Sequence, residues 1–348
     1  MKTGSAKNVI ETIIAIVAVF ALVSLVLILI SKHRKKKNAE VFIYALSWRS
    51  SFRQYWLLYL MMIPGVLYFL VFKYAPMVGV VMAFKQYSPY SGIAGLFTSE
   101  WAGFQWFSRF TNSIYFERLV RNSFVISLKK IIVCFPASII LALMLNSVPN
   151  LRFKKSIQTI SYLPHFLSMV VICSIVRSLV SVDGGLVNAI IKMFGADPIV
   201  FLGSKQHFHS ILVISELWRT VGWGSIIYLA AITGIDPNLY EAAKVDGANW
   251  HHQIWHITLP GIASIISLML ILRSGDLLDA GFEQIFLLYS SSVYEVADII
   301  DTYVYREGLI NLNYSYSTAV NLFKSVIALI LVLSSNSFAK RMGQEGIW

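Results

Sequence analysis

Several groups of residues in this chain have the types and spacing to do chemistry. Glu216 and Arg219 stand three apart inside an apolar stretch, a spacing that puts them on one helix face and lets them pair. Ionisable groups at bilayer depth are costly and face a cavity or a partner, so the two either line a polar path or tie helices together. Arg273, Asp276, Asp279 and Glu283 recur at spacings of three and four. With Gln284 they form a polar stripe that either lines an outer path or marks a helix end emerging into water. Tyr162, His165, Trp218, Trp223 and Tyr228 join hydrogen-bonding groups to aromatic surfaces. That pairing suits a sugar, which offers many hydroxyls and weakly apolar ring faces; the alternative for each is plain packing. Lys129, Lys130 and Arg177 fall in or near apolar stretches, where they either favour an acidic ligand or extend their heads to lipid headgroups. His252 and His256 are four apart, but no Cys or carboxylate pattern completes a metal set, and His207 and His209 lack a third ligand. A surface or partner-contact role is expected for the first pair. No Ser/His/Asp set can be assembled. No G-x4-G-K-[ST] loop occurs, so this chain is not expected to hydrolyse ATP or to hold a cofactor.

The elements that position these residues follow from composition. Of 348 residues, 57% are hydrophobic and 14% charged, against about a quarter charged in ordinary soluble domains. The balance predicts a polytopic membrane protein. A net charge of +11 would suit a nucleic-acid partner, but the basic residues cluster beside apolar segments (Lys32 to Lys37, Arg152 to Lys155, Lys340-Arg341). Cytoplasmic flanks of membrane helices have that pattern, and no nucleic acid is expected. Cys134 and Cys173 lie in apolar stretches without a CxxC motif and read as small packing residues.

A bilayer core needs about 20 apolar residues per helix. The segments that qualify are about 9–30, 56–73, 123–145, 157–180, 210–233, 260–280 and 318–338. The basic run after the first places residues 32–37 in the cytoplasm. Alternation then places Arg152 to Lys155, the 234–259 loop and the tail at 339–348 on the same side. The apolar run Ile13 to Ile30 exceeds a signal-peptide core of about 7–15 residues and is followed by a basic block. A retained helix with its basic flank is therefore expected over 1–37. Residues 38–55 read either as an amphipathic helix on the inner surface or as a linker. The outer loops are 74–122, 181–209 and 281–317. The first carries Trp101, Phe104, Trp106, Phe107 and Phe110, which predicts an interfacial or partly re-entrant segment.

Between two apolar segments lies a polar island with Glu241-Ala242-Ala243, Gly247, Ile257, Leu259 and Pro260. Asp236 can cap a helix that Pro237 opens, and Gly247 is suited to end it in the left-handed conformation. A second short helical run is expected over Ala248 to Thr258, with Pro260 opening the next span. The product is a helix–turn–helix elbow. A short rigid helix of this kind can lie in a partner's groove and convey displacement. Ala242 and Ala243 allow close approach, and Glu241 offers a carboxylate to a basic residue.

The pattern E-A-A-x3-G-x9-I-x-L-P resembles the cytoplasmic loop of ABC-importer permeases, with seven fixed positions in agreement. The resemblance extends over about 55 to 340. Tyr162-Leu163-Pro164-His165-Phe166, Trp218-x3-Gly222-Trp223, Tyr240 to Asn249 and Gly281-Phe282-Glu283-Gln284 look like permeases of the LplB-like branch, within the larger maltose-type group. That branch serves complex oligosaccharides and polysaccharide fragments in bacteria. The resemblance implies an all-α membrane fold: a six-helix type-1 permease core over 56–338, plus the extra N-terminal helix that departs from the family pattern. It implies a second, different permease chain, two ATPase subunits that bind ATP and Mg, an extracytoplasmic sugar-binding protein and a place in the bacterial cell membrane. Glu241, Ala242, Ala243, Asp246, Gly247, Ile257, Leu259 and Pro260 would dock the ATPase. An ion-coupled secondary transporter using Glu216 or Asp276 is the rival reading, and it offers no reason for the 241–260 pattern. A membrane glycosyltransferase or acyltransferase would need a polar catalytic cluster that these residues do not make.

Overall fold

The computed structural model describes residues Trp48–Arg341, with side chains from Phe52 onward. The helix expected at 9–30, most of the 38–55 segment and residues 342–348 lie outside that range. Among the described residues the architecture is helical, with one isolated β-bridge, Lys85 to Trp101. The described residues fall into two compact units. One takes those up to Phe110 together with Glu307–Leu322, and the other takes Thr111–Arg306 and those from Phe323 on.

In the first unit, helix α1 (Trp48–Phe69) runs on through a π-turn at Leu70–Tyr74 and a 3-10 segment at Val78–Phe84. The apolar stretch Phe52–Phe84 is 33 residues long, so the span expected at 56–73 is part of a longer element. The side chains of residues 52–78 are exposed, and a helix apolar on all sides needs lipid or another subunit around it. Beyond it, α2 (Gly92–Thr98) and α3 (Gln105–Thr111) frame an aromatic cluster. Phe84 lies 5.9, 5.6 and 5.4 Å from the rings of Trp101, Phe104 and Phe107. Lys85 is buried, and its Nζ donates to Phe97 O at 2.8 Å. Much of the aromatic content of loop 74–122 is thus spent on local packing.

The second unit is built on α4 (Phe116–Ser147) and α8 (Phe208–Thr233), whose contact is the most extensive between any two elements. Small residues let α8 approach α4 and α5 closely. A Cβ on Gly224 would stand 2.6 Å from Ser138 Oγ, and one on Gly222 would stand 2.1 Å from the backbone oxygen of Ser161. Close helix approach over glycine and serine is the usual packing device where lipid removes the hydrophobic drive. Ile126, Ile172, Phe208, Leu212, Ile285 and Ile299 form one core, and Ala142, Leu145, Tyr228 and Ile262 another.

The span expected at 157–180 is broken. α5 (Leu151–Tyr162) passes through a 3-10 turn at Leu163–Phe166 and meets α6 (Met169–Leu179) at 104°. Pro164 restricts the residue before it, and Ser168 Oγ accepts from Val171 N to start α6 afresh. α7 (Leu186–Met193) follows. Asn188 anchors it: its Nδ2 donates to the carbonyls of Val180, Ser181 and Ile199, and its Oδ1 accepts from Ile199 N.

After α8 come α9 (Pro237–Val245) and α10 (Trp250–Gln253), which continues through a π-turn at Ile254–Thr258 to Leu259–Gly261. Pro260, expected to open the next span, instead sits inside this helical run. Proline cannot donate to the carbonyl four residues back, and the π-turn just before it absorbs that mismatch. The chain then bends by 62° at Ile262 into α11 (Ala263–Gly275). The polar stripe of 273–283 is likewise not one helix. α11 ends at Gly275, Asp276–Leu278 is a 3-10 turn, and Gly281, at φ +85°, starts α12 (Phe282–Leu288) in a new direction.

α13 (Ile300–Tyr305) is fixed by Asp298, a fully buried carboxylate. Arg306 Nη1 and Nη2 donate to its Oδ1 and Oδ2 at 2.9 and 2.8 Å, Arg118 Nη2 donates to Oδ2 at 3.2 Å, and Thr302 Oγ1 donates to Oδ1 at 2.8 Å. The last helix is α14 (Tyr314–Arg341). Three helices are long and apolar enough to cross a membrane among the described residues, or five if each bent pair counts as one. α8 covers the fifth expected span, 210–233, and carries Glu216 and Arg219 near its middle.

Candidate functional site: a central cavity and an exposed elbow

The second unit holds a cavity of about 750 Å3 between α4, α8, α11 and the 3-10 turn after α5. Ser127, Lys130, Cys134 and Ser138 reach it from α4 at spacings of three and four, which places them on one helix face. Glu216, Thr220, Trp223 and Tyr228 line it from α8, and His165 from the turn. Arg273, Asp276 and Asp279 close the remaining side. Arg273 pairs with Asp276 at 3.7 Å, both well exposed. The lining thus mixes acceptors, cations and aromatic faces.

Of the residues singled out for a substrate path, six line this cavity: His165, Glu216, Trp223, Tyr228, Asp276 and Asp279. Tyr162 and Trp218 do not, and Glu283 is exposed elsewhere on α12. Gln284 is buried and structural. Its Nε2 donates to Leu212 O at 3.0 Å and Ser215 Oγ at 2.8 Å, and its Oε1 accepts from Lys130. The turn at Gly281 swings both residues of the pair Glu283-Gln284 off the face that Asp276 and Asp279 share with the cavity.

Glu216 and Arg219 do not form an ion pair within 4.0 Å among the described residues. Glu216 turns to the cavity, while the Nε of Arg219 is buried without a protein partner. Each of the three basic residues near the spans has a polar partner within the protein. Lys130 Nζ is held by Ala280 O and Gln284, Lys129 Nζ meets His209 Nδ1 at 3.0 Å, and Arg177 donates to Leu287 O. Of the two readings open for Lys130, an acidic ligand or lipid headgroups, its place in the cavity lining favours the first. Its signal was legible in the polar series Ser127, Lys130, Cys134, Ser138 along an apolar helix.

The elbow is formed as its residues dictate. Asp236 Oδ1 accepts from Asn238 N at 3.0 Å, and Pro237 opens α9. Gly247 ends it at φ +77°, where Ala248 N reaches Ala243 O at 2.8 Å. Asn249 caps the second arm through His252 N at 3.0 Å. Glu241, Ala242, Asp246, Gly247 and Pro260 are exposed, while Ala243, Ile257 and Leu259 are half-buried. Leu239, Val245, Trp250 and Trp255 add exposed apolar surface around them. His252 and His256 stack with ring centroids 5.8 Å apart, and each turns Nδ1 to a local acceptor, Asn249 Oδ1 and His252 O.

Residues 135–344 match the family model described as the binding-protein-dependent transport system inner membrane component, which takes in the cavity's α8 and α11 and the whole elbow. The polygalacturonan/rhamnogalacturonan transport system permease protein YteP of Bacillus subtilis (strain 168) is 49% identical over 291 residues, 84% of this chain and 90% of that protein. Protein LplB of the same organism is 45% identical over 316 residues, 90% of this chain and 98% of that protein. Among solved structures, the crystal structure of a bacterial alginate ABC transporter in complex with an alginate pentasaccharide-bound periplasmic protein contains a similar chain. It superposes with a TM-score of 0.79 at 39% identity, over 87% of this chain and 100% of that one. A polytopic helical chain, a polar cavity between its bundled helices and a family match across both features lead to one conclusion: this chain belongs to the family of binding-protein-dependent transport system inner membrane components.

Proposed function

We propose that this chain is the permease subunit of an ATP-driven importer of oligosaccharides or polysaccharide fragments, and that the 237–258 elbow couples a partner ATPase to alternating access. The observation that carries the reading is the elbow itself. A capped, rigid helix presents Glu241 and Ala242 outward among exposed Leu239, Val245, Trp250 and Trp255. Exposed apolar surface rimmed by a carboxylate is the composition of a docking surface. The cavity supplies the second half of the argument. Its hydroxyls, charges and aromatic faces suit a sugar, and two of the similar proteins are described as transporting polygalacturonan and rhamnogalacturonan or alginate.

In this reading the elbow and the C-terminal tail face the cytoplasm. A second permease chain completes the path, two ATPase subunits bind ATP and Mg, and an extracytoplasmic binding protein delivers the sugar. Each partner must bind the inward-facing and outward-facing arrangements differently for the coupling to work. The test is uptake and ATP hydrolysis in the assembled complex carrying Glu241→Lys or Gly247→Pro. Loss of coupled transport is expected in both, and normal coupled transport in both would overturn the docking role. Labelling that found the elbow on the extracytoplasmic face would overturn it as well.

A further inference from the structure

Two side-chain hydrogen bonds brace the elbow, one joining its two arms and one tying it to membrane helix α4, and neither uses a fixed position of the docking pattern. Tyr240, on α9, meets Thr258 Oγ1 through its hydroxyl at 3.0 Å. Thr258 is buried, at 3% exposure, in the π-turn that leads to α11. Either hydroxyl of this pair can donate to the other. In the second bond Trp250 Nε1 donates to Ser147 Oγ at 2.7 Å, and Ser147 gives its proton to Leu143 O at 2.9 Å at the end of α4. Ser147 is thus held by its own helix and offers a lone pair to the elbow.

Between these points the elbow is closed on itself. Gln253 Nε2 donates to Ala248 O at 3.0 Å across the turn. A Cβ on Gly261 would stand 2.8 Å from Ile235 Cδ1, so the two ends of the elbow also pack directly. These contacts join α9 to Thr258, and beyond Thr258 the chain passes through Leu259–Gly261 and the bend at Ile262 into α11, which carries Arg273 and leads into Asp276 and Asp279 of the cavity.

We propose that Tyr240 and Thr258 are positioning residues for coupling: their hydroxyl pair is the strut that carries displacement of the elbow into α11, with Trp250 and Ser147 as a second strut into α4. The proposal rests on the docking role of the elbow. Removing a strut leaves the docking face of Glu241, Ala242 and Gly247 intact but lets α9 move without its membrane helix. ATP hydrolysis then continues while the cavity stops responding.

The test uses the complex of this chain with its partner permease and ATPase subunits in lipid vesicles, in a Cys173→Ala background. Cys134, on the cavity wall, reports the state of the cavity through its alkylation rate with and without ATP plus vanadate. The unmodified strut is expected to give a nucleotide-dependent change. In Tyr240→Phe and Thr258→Val that change shrinks by about fivefold, the factor that one net hydrogen bond represents in a two-state equilibrium. The ATPase stays bound and active in both. Thr258→Ser keeps the hydroxyl and keeps the response, which a role in packing alone would not predict. A full response in Tyr240→Phe and Thr258→Val overturns the proposal, as does a loss in Thr258→Ser equal to that in Thr258→Val, or no nucleotide-dependent change with the strut intact. If Tyr240→Phe fails to assemble, the two Thr258 variants decide. The docking reading fails separately: it falls if Glu241→Lys and Gly247→Pro both leave transport coupled, whatever the strut variants do.

Discussion

The imidazole of His165 lies flat against the indole of Trp223, with ring centroids 4.5 Å apart and planes 1° from parallel. The two residues are far apart in sequence and belong to two separate motifs, Tyr162 to Phe166 and Trp218 to Trp223. Phe166 closes on the same indole edge-on at 5.7 Å. The stack stands where the chain breaks by 104° between α5 and α6, and both rings line the cavity. Aromatic contacts of this kind contribute about 0.5–1.5 kcal/mol beyond their area. Trp223→Ala is therefore expected to lower initial uptake of an oligosaccharide substrate by the reconstituted complex by roughly fivefold, and Trp223→Phe by less. Equal uptake by Trp223→Ala and the unaltered chain would remove this stack from the transport path.

The same two motifs meet at Gly222. A Cβ there would lie 2.1 Å from Ser161 O, a backbone atom that cannot swing aside. Gly222→Ala is expected to destabilise the chain by about 1–3 kcal/mol through overpacking. The thermal midpoint of the detergent-solubilised protein reads this directly. Gly65→Ala is the control, because nothing lies within 4 Å of a Cβ at that position.

Asp298 offers the sharpest electrostatic test. It is fully buried and takes four hydrogen bonds from Arg306, Arg118 and Thr302. Removing one partner of a buried pair strands the other and costs about 3–5 kcal/mol. Asp298→Asn keeps the shape and loses the charge, so it should lower the denaturation midpoint markedly. Arg118 is partly exposed and gives one bond, so Arg118→Met should cost less. The reverse order would show that α13 is held by packing instead of by this carboxylate.

Glu295 is fully exposed, and the Lys205 ammonium that donates to it holds its carboxyl below the ordinary value of 4.5. A lowered carboxyl pKa adds stability above the ordinary value, and that contribution is lost as pH falls through the lowered one. Stability of the unaltered chain should therefore decline relative to Lys205→Met on acidification below about pH 4.5, by a small amount at so exposed a site. A constant difference between the two across that range would show that the pair carries no pH-dependent stability.

Much of this molecule follows from local chemistry that the sequence states outright. Residues 56–72 are apolar without a charge, and they fold as helix because no other conformation satisfies the backbone in lipid. Asp236, Pro237 and Gly247 begin and end α9 because a carboxylate cap, a preset φ and a left-handed glycine act within a few residues of themselves. What tertiary structure alone decided is rotation and direction. Glu216 and Arg219 have the spacing of a pair, yet α8 packs on α4 so that only Glu216 reaches the cavity. Lys130 faces inward because Ala280 O and Gln284 wait for its ammonium on a turn 150 residues away. Asp279 and Gln284 are separated by Gly281, whose positive φ redirects the chain between them. Sequence spacing fixes which residues share a helix face; packing against distant elements fixes where that face points, and no local rule contains that information.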